Sequence, residues 1–226
     1  MNQVGNADDA EPERWADPVP TDDNVAAAYA EAFLHELDHK PFDREILTRF
    51  AATTRTKTRH GKPVCDIGCG PGHVGAFLAE QGIETVGVDL SSGMVAQART
   101  TYPQMNFSQG DMTALHLPDD SFTGIVCFYA LIHIPRAGVP ATLQEMSRVL
   151  APGGPLLLAV HGGTGTLHAD RMVDQPADLD VTLFSLPELA ELAQAAGFAV
   201  LETHERTPYP QEHPTQRLYL WAEASA

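Results

Sequence analysis

The sequence predicts an α/β protein built on a mostly parallel sheet. Three observations carry that expectation. Short apolar runs alternate with helical patterns from Lys62 onward, a glycine turn joins the first run to the first of those helices, and runs such as PLLLAV at 155–160 are apolar without a break. Alternating strand and helix is the signature of right-handed crossovers. A strand covered by helices on both faces has no polar face with which to alternate.

Taken in order, residues 1–23 carry seven acids and one arginine and read as a loose acidic tail. Order is expected from Asn24, and residues 24–60 read as a helical segment ahead of the 61–226 core. In NVAAAYAEAFLHEL, Val25, Ala28, Tyr29, Ala32, Phe33 and Leu37 recur at helical spacing, with Asp22, Asp23 or Asn24 as the cap. Pro41 suits the first turn of a second helix whose apolar face is Phe42, Ile46, Leu47 and Phe50. Strands are expected at 63–67, 85–89, 106–109, 122–129 and 155–160. Helices are expected at 74–80, 93–100, 139–150 and 186–196. The stretch 162–184 reads as a loop. The final runs, 198–201 and 217–222, have Pro208, Pro210 and Pro214 between them, which exclude a crossover helix and make the pair antiparallel.

Composition narrows the function classes. The 226 residues are 43% hydrophobic and 19% charged, the balance of a globular protein. A net charge of -16 opposes non-specific binding to nucleic acid or anionic lipid. No run approaches the roughly 18 apolar residues a membrane span needs, and the N-terminal stretch lacks the marks of a signal peptide. Cys65, Cys69 and Cys127 are few and odd in number, which favours buried thiols, a reducing compartment and a cytoplasmic location. The basic cluster between Lys40 and Lys62 reads as a solvated helix face and linker; attraction of an anionic substrate group is the alternative.

The informative segment is VCDIGCGPGHVGAFL. Gly68, Gly70 and Gly72 sit where a strand turns into a helix, a place that needs positive φ and allows close approach of backbone to ligand. The spacing departs from the dinucleotide fingerprint, because His73 stands where the third glycine belongs. Asp66 would repel a pyrophosphate and suits an ammonium or sulfonium centre; it could equally hydrogen-bond the loop amides. Asp89, 23 residues on, can accept both hydroxyls of a ribose or cap the next helix. Asp111 could meet an adenine amino group, with Met112 or Leu90 against the ring, or shape a turn after Gly110.

With VCDIGCGPG, VGVDLS, QGDM, FTGIVCFYALIHIP and GGPLLLAV, the chain resembles the class I S-adenosylmethionine-dependent methyltransferases, in the small-molecule branch that includes ubiquinone/menaquinone-type enzymes. The resemblance implies a Rossmann-like three-layer sandwich with a seven-stranded, mostly parallel sheet and an antiparallel last strand. It implies S-adenosyl-L-methionine as cofactor. Asp66, Gly68, Gly70 and Gly72 would form the methionine loop, Asp89 the ribose acid, and Leu90, Asp111 and Met112 the adenine edge. Phe128 and Tyr129 would wall the sulfonium end, and Tyr29 would lie on an N-terminal helix over the site. The implied reaction is in-line methyl transfer to an O or N nucleophile of a small molecule, with no metal. A monomer or homodimer is expected, with no nucleic-acid or membrane partner.

Two histidines fall at the acceptor end. His133 could act as general base, shape the pocket or be structural, and His161 could contact substrate, remove its proton or make a loop hydrogen bond. Two further function classes stay in view: a nicotinamide-dependent oxidoreductase with an unusual loop, and a cofactor-binding protein without transfer activity.

Overall fold

The computed structural model describes residues 23–57 and 61–225. The expected acidic tail therefore lies outside the described residues but for Asp23, and so do the side chains offered as its helix cap. Among the described residues, nine strands and six α-helices follow one another. The first helices are α1 (Asp23–Phe33) and α2 (Pro41–Lys57), separated by a 3-10 turn at Glu36–His39. The core then runs β1 (Val64–Ile67), α3 (His73–Glu80), β2 (Thr85–Asp89), α4 (Ser92–Thr101), β3 (Asn106–Gln109), β4 (Gly124–Phe128), α5 (Val139–Val149) and β5 (Pro155–Gly162). Two further strands, β6 (Thr166–Met172) and β7 (Gln175–Thr182), precede α6 (Leu186–Ala195), β8 (Phe198–Arg206) and β9 (Gln216–Ala224).

Seven strands form one sheet in the order β3-β2-β1-β4-β5-β9-β8. The first five are parallel, whereas β9 runs antiparallel to both its neighbours. This is the Rossmann-like α/β sandwich expected. β5 shows why its sequence is continuously apolar. Leu156, Leu158 and Val160 enter the core beneath α5 and α6, while Leu157 and Ala159 enter the core beneath α2 and α3 with Phe50 and Trp221.

Three expected boundaries differ for local reasons. The run 122–129 forms a strand only over β4, because Phe122 bridges to Leu150 and Tyr129 adopts φ 54°, leaving the extended region. β5 runs past His161, held by its register with Arg217. The expected loop at 162–184 is corrected to a separate two-stranded antiparallel hairpin, β6–β7. Its strands alternate inward Leu167, Ala169, Leu179 and Val181 with outward His168, Asp170, Asp178 and Asp180. Lys40, part of the cluster expected to be a solvated face, is buried, although Arg44, Arg49 and Arg55 of α2 are exposed.

Candidate active site

The C-terminal ends of β1, β2 and β4 open on one cavity of about 670 Å³, a size suited to a cofactor and a small partner. Twelve of the thirteen candidate residues named above line it: Tyr29, Asp66, Gly68, Gly70, Asp89, Leu90, Asp111, Met112, Phe128, Tyr129, His133 and His161. Gly72 does not. It starts α3 at φ 86°, and a Cβ there would lie 2.8 Å from the Phe107 ring, so its task is packing behind the loop.

The loop is tight for a physical reason. Gly68 has φ 70°, and a Cβ on it would fall 2.1 Å from the Ala130 Cβ at the end of β4. Asp66 is buried at 1% exposure, and its Oδ2 accepts from the Gly75 N–H at 2.9 Å. Burial pushes its carboxyl up to about 7; His73 and the Gly75 bond pull the other way. Asp66 thus shapes the start of α3 while facing the cavity. Asp89 ends β2 with Oδ2 accepting from Gly70 N at 2.7 Å and Oδ1 from Ser91 N at 2.9 Å. The cap of α4 is Ser91, whose hydroxyl accepts from Met94 N, so the capping alternative for Asp89 is set aside. The turn alternative for Asp111 is realised: its Oδ1 accepts from the N–H and hydroxyl of Thr113.

Tyr29 packs on Phe33 with ring centroids 4.4 Å apart and faces the loop, 3.8 Å from where a Gly70 Cβ would stand. Burial and the charges of Glu36 and Asp89 push its phenol well above the ordinary range. Tyr129 closes the other side; its hydroxyl reaches the Tyr219 hydroxyl at 2.9 Å and Asp43 Oδ1 at 3.3 Å. His133 is pushed down to about 4 by burial and leaves its buried Nδ1 without a partner. His161 is pushed down to about 3, by burial first and then by Arg217. Both rings are neutral near pH 7 and weak bases. His168 is exposed on the outer face of the hairpin, 2.9 Å from Asp180.

Several cavity residues carry no motif in the sequence. Glu36 receives Lys40 Nζ at 2.7 Å and His73 Nε2 at 3.0 Å. Lys40 also lies 3.4 Å from Glu212 and 4.9 Å from the centre of the Tyr129 ring. Arg206 bonds Glu212 at 2.6 and 2.9 Å and Asp43 at 2.8 Å. Burial alone would raise Glu212, but the Arg206 bonds hold it at about 2. The only hint in the sequence was His73, the residue displacing a third glycine. The inward face of β6–β7 also lines the cavity, with Leu167, Ala169, Leu179 and Val181, and so do Arg171 and Met172 near its turn.

A buried acid at the loop, a second acid closing β2 and an apolar edge at Leu90 and Met112 together fit the amino group, ribose and adenine of S-adenosylmethionine. A carboxylate oxygen can accept two hydrogen bonds, so a ribose diol could share Asp89 with the backbone donors.

Residues 64–154 match the family described as a methyltransferase domain. Among relatives, the demethylmenaquinone methyltransferase of Beutenbergia cavernae is 37% identical over 113 residues, covering 50% of this chain and 46% of that protein. The malonyl-[acyl-carrier protein] O-methyltransferase of Enterobacter lignolyticus is 31% identical over 148 residues, covering 66% and 55%. The matched region spans about half the length of these relatives. A crystal structure of a SAM-dependent methyltransferase from Methanosarcina mazei superposes with a TM-score of 0.67 at 19% identity, over 76% of this chain and 96% of that one. This chain therefore has the fold of the class I S-adenosylmethionine-dependent methyltransferases, and its residues 64–154 are similar to their methyltransferase domain.

Proposed function

We propose that the protein transfers a methyl group from S-adenosylmethionine to an O or N nucleophile of a small molecule. The observation that carries this reading is that Asp66 and Asp89 line one cavity together with the apolar residues Leu167, Ala169, Leu179 and Val181 of the hairpin. S-adenosylmethionine, when bound, supplies the activated methyl group. The chain's own residues bind, orient and exclude water. Asp66 and the Gly68–Gly70 turn hold the amino-acid end, Asp89 the ribose, and Leu90 and Met112 the adenine. Phe128 and Tyr129 fix the direction from which an acceptor approaches, and the hairpin keeps bulk water from the reacting atoms. Neither His133 nor His161 is a strong base, so the reading leans on positioning and on an acceptor that loses its proton readily.

A nicotinamide reading fits less well. The position that a pyrophosphate loop gives to glycine is His73, and the Glu36 carboxylate that engages it brings negative charge there. Calorimetric titration with S-adenosylhomocysteine and with NAD tests the choice. Micromolar binding of the former and none of the latter is expected; the reverse overturns the reading. A crystal grown with S-adenosylhomocysteine and a metabolite extract would then show the acceptor chemistry beside the sulfur.

A further inference from the structure

His161 lies near the end of β5 and faces the cavity. Its Nδ1 is 2.5 Å from Thr215 Oγ1. That hydroxyl already accepts from Arg217 Nη1 at 2.6 Å, and a guanidinium only donates. A hydroxyl has one proton to give, and Nδ1 lies in reach to accept it. The ring proton of a neutral His161 then belongs on Nε2; the ring's hydrogen bond among the described residues is the one at Nδ1, and the residue lines the cavity.

Arg217 cannot readily turn away. It also donates to the carbonyls of Thr215 at 2.6 Å and His213 at 3.1 Å, and its Nε lies 3.4 Å from Glu212. The groups facing the ring come from every neighbouring element: Arg217 from β9, His213 and Thr215 from the connection before it, Tyr129 and His133 from beyond β4, and Lys40 ahead of α2. Positive charge on Arg217 and Lys40 opposes a second proton on the imidazole.

We propose that Arg217 and Thr215 hold His161 as the Nε2–H tautomer, making it a hydrogen-bond donor to an oxygen of the methyl acceptor and not the base that deprotonates it. The acceptor class that fits is an apolar body, matched to Leu167, Ala169, Leu179 and Val181, bearing a carbonyl or similar lone-pair oxygen. The identity of the ligand rests on the methyl-transfer reading; the tautomer rests on the hydrogen bonds alone. Thr215 and Arg217 are positioning residues.

Long-range ¹H–¹⁵N correlation spectra of the full chain labelled in histidine test the tautomer between pH 5 and 8, with His161→Gln for assignment. The expected result is an unprotonated Nδ1 and a protonated Nε2 throughout, preserved in Thr215→Ser and lost to a mixture in Thr215→Val. A wild-type ring that is Nδ1–H, or that becomes charged within this range, overturns the proposal; so does a Thr215→Val spectrum identical to wild type. Calorimetry with 2-acetylnaphthalene and 2-isopropylnaphthalene tests the donor. The ketone should bind about three- to tenfold tighter, and the gap should close in His161→Phe. Equal affinities, or no binding of either, overturn the donor assignment. Both probes are titrated with and without S-adenosylhomocysteine, whose own binding is measured first. Its failure to bind would sink the methyl-transfer reading and leave the tautomer spectrum to be judged separately.

Discussion

Asp66 holds its proton to about pH 7 because the fold removes its carboxyl from water. A folded pKa above the unfolded value means that the folded state binds more protons between about pH 4 and 7. Stability without ligand should therefore fall as pH rises through that window and level off above it. A cation placed beside the carboxyl favours its ionised form, so binding of S-adenosylmethionine should release a proton near pH 6.5, and affinity should rise with pH until about 7. Calorimetry in buffers of different ionisation enthalpy measures this directly. In Asp66→Asn, which can still accept from Gly75, the release should vanish; release unchanged in that variant would remove Asp66 from the amino-group site. Asp89→Ala removes an acceptor for charged hydrogen bonds worth about 1.5–3 kcal/mol each. S-adenosylhomocysteine should then bind at least tenfold more weakly, and an unaltered affinity rejects the ribose assignment. These two acids were legible in the sequence because Asp66 stands two residues before the glycine turn and Asp89 closes the next strand. Glu36 and Lys40 were not, since a polar residue on a helical pattern reads as a solvated face, and the partners that hold them inward, His73 for Glu36 and Glu212 for Lys40, are more than thirty residues away.

At the scale of elements, the parallel strands were legible from their apolar runs and the hairpin β6–β7 was not. Its alternation was present in Leu167, Ala169, Leu179 and Val181, but the mixed polar and charged residues among them, such as His168, Asp170, Arg171 and Asp174, read as a loop. The turn chemistry was also hidden. Val173 and Asp174 both take positive φ, 49° and 60°, in a two-residue connection where glycine or asparagine is the usual sign. A two-stranded sheet is marginal by itself, so this hairpin depends on the apolar groups beneath it. Its amides should exchange with deuterium by local opening, well before those of β5 and β9. Leu179→Ala, at a site only 2% exposed, should speed exchange across 166–182 while S-adenosylhomocysteine affinity stays within about twofold. Equal protection of hairpin and central strands would show that the hairpin is not an independently opening wall.

The chain as a whole carries a net charge of -16, yet six buried or half-buried charges beside the cavity pair with one another. Glu36, Asp43 and Glu212 face Lys40, Arg206 and Arg217, drawn from the 3-10 turn, α2, β8, β9 and the connection between those last strands. The sequence could not show this balance, because its members are up to about 180 residues apart and meet only when β9 inserts between β5 and β8. Arg206 is the joint: it serves Asp43 and Glu212 at once and donates to the Tyr219 hydroxyl at 2.9 Å. Arg206→Met would leave two buried carboxylates short of a partner, a defect that costs about 3–5 kcal/mol in comparable sites. Its pH dependence distinguishes that cause from lost packing. Glu212, held at about 2 in the intact protein, contributes stability that is present above its unfolded value and lost only as pH falls toward 2. Without Arg206, the carboxyls of Asp43 and Glu212 should move up and take protons at mild acidity. Urea unfolding should then show the largest deficit of Arg206→Met near pH 7.5 and a smaller one near pH 5, where wild type keeps Glu212 ionised and paired with Arg206 while the variant neutralises its unpaired acids. A deficit constant across that range would mean that Arg206 stabilises the fold through its guanidinium stacked over Tyr209 and Tyr219, and not through its pairing with the two carboxylates.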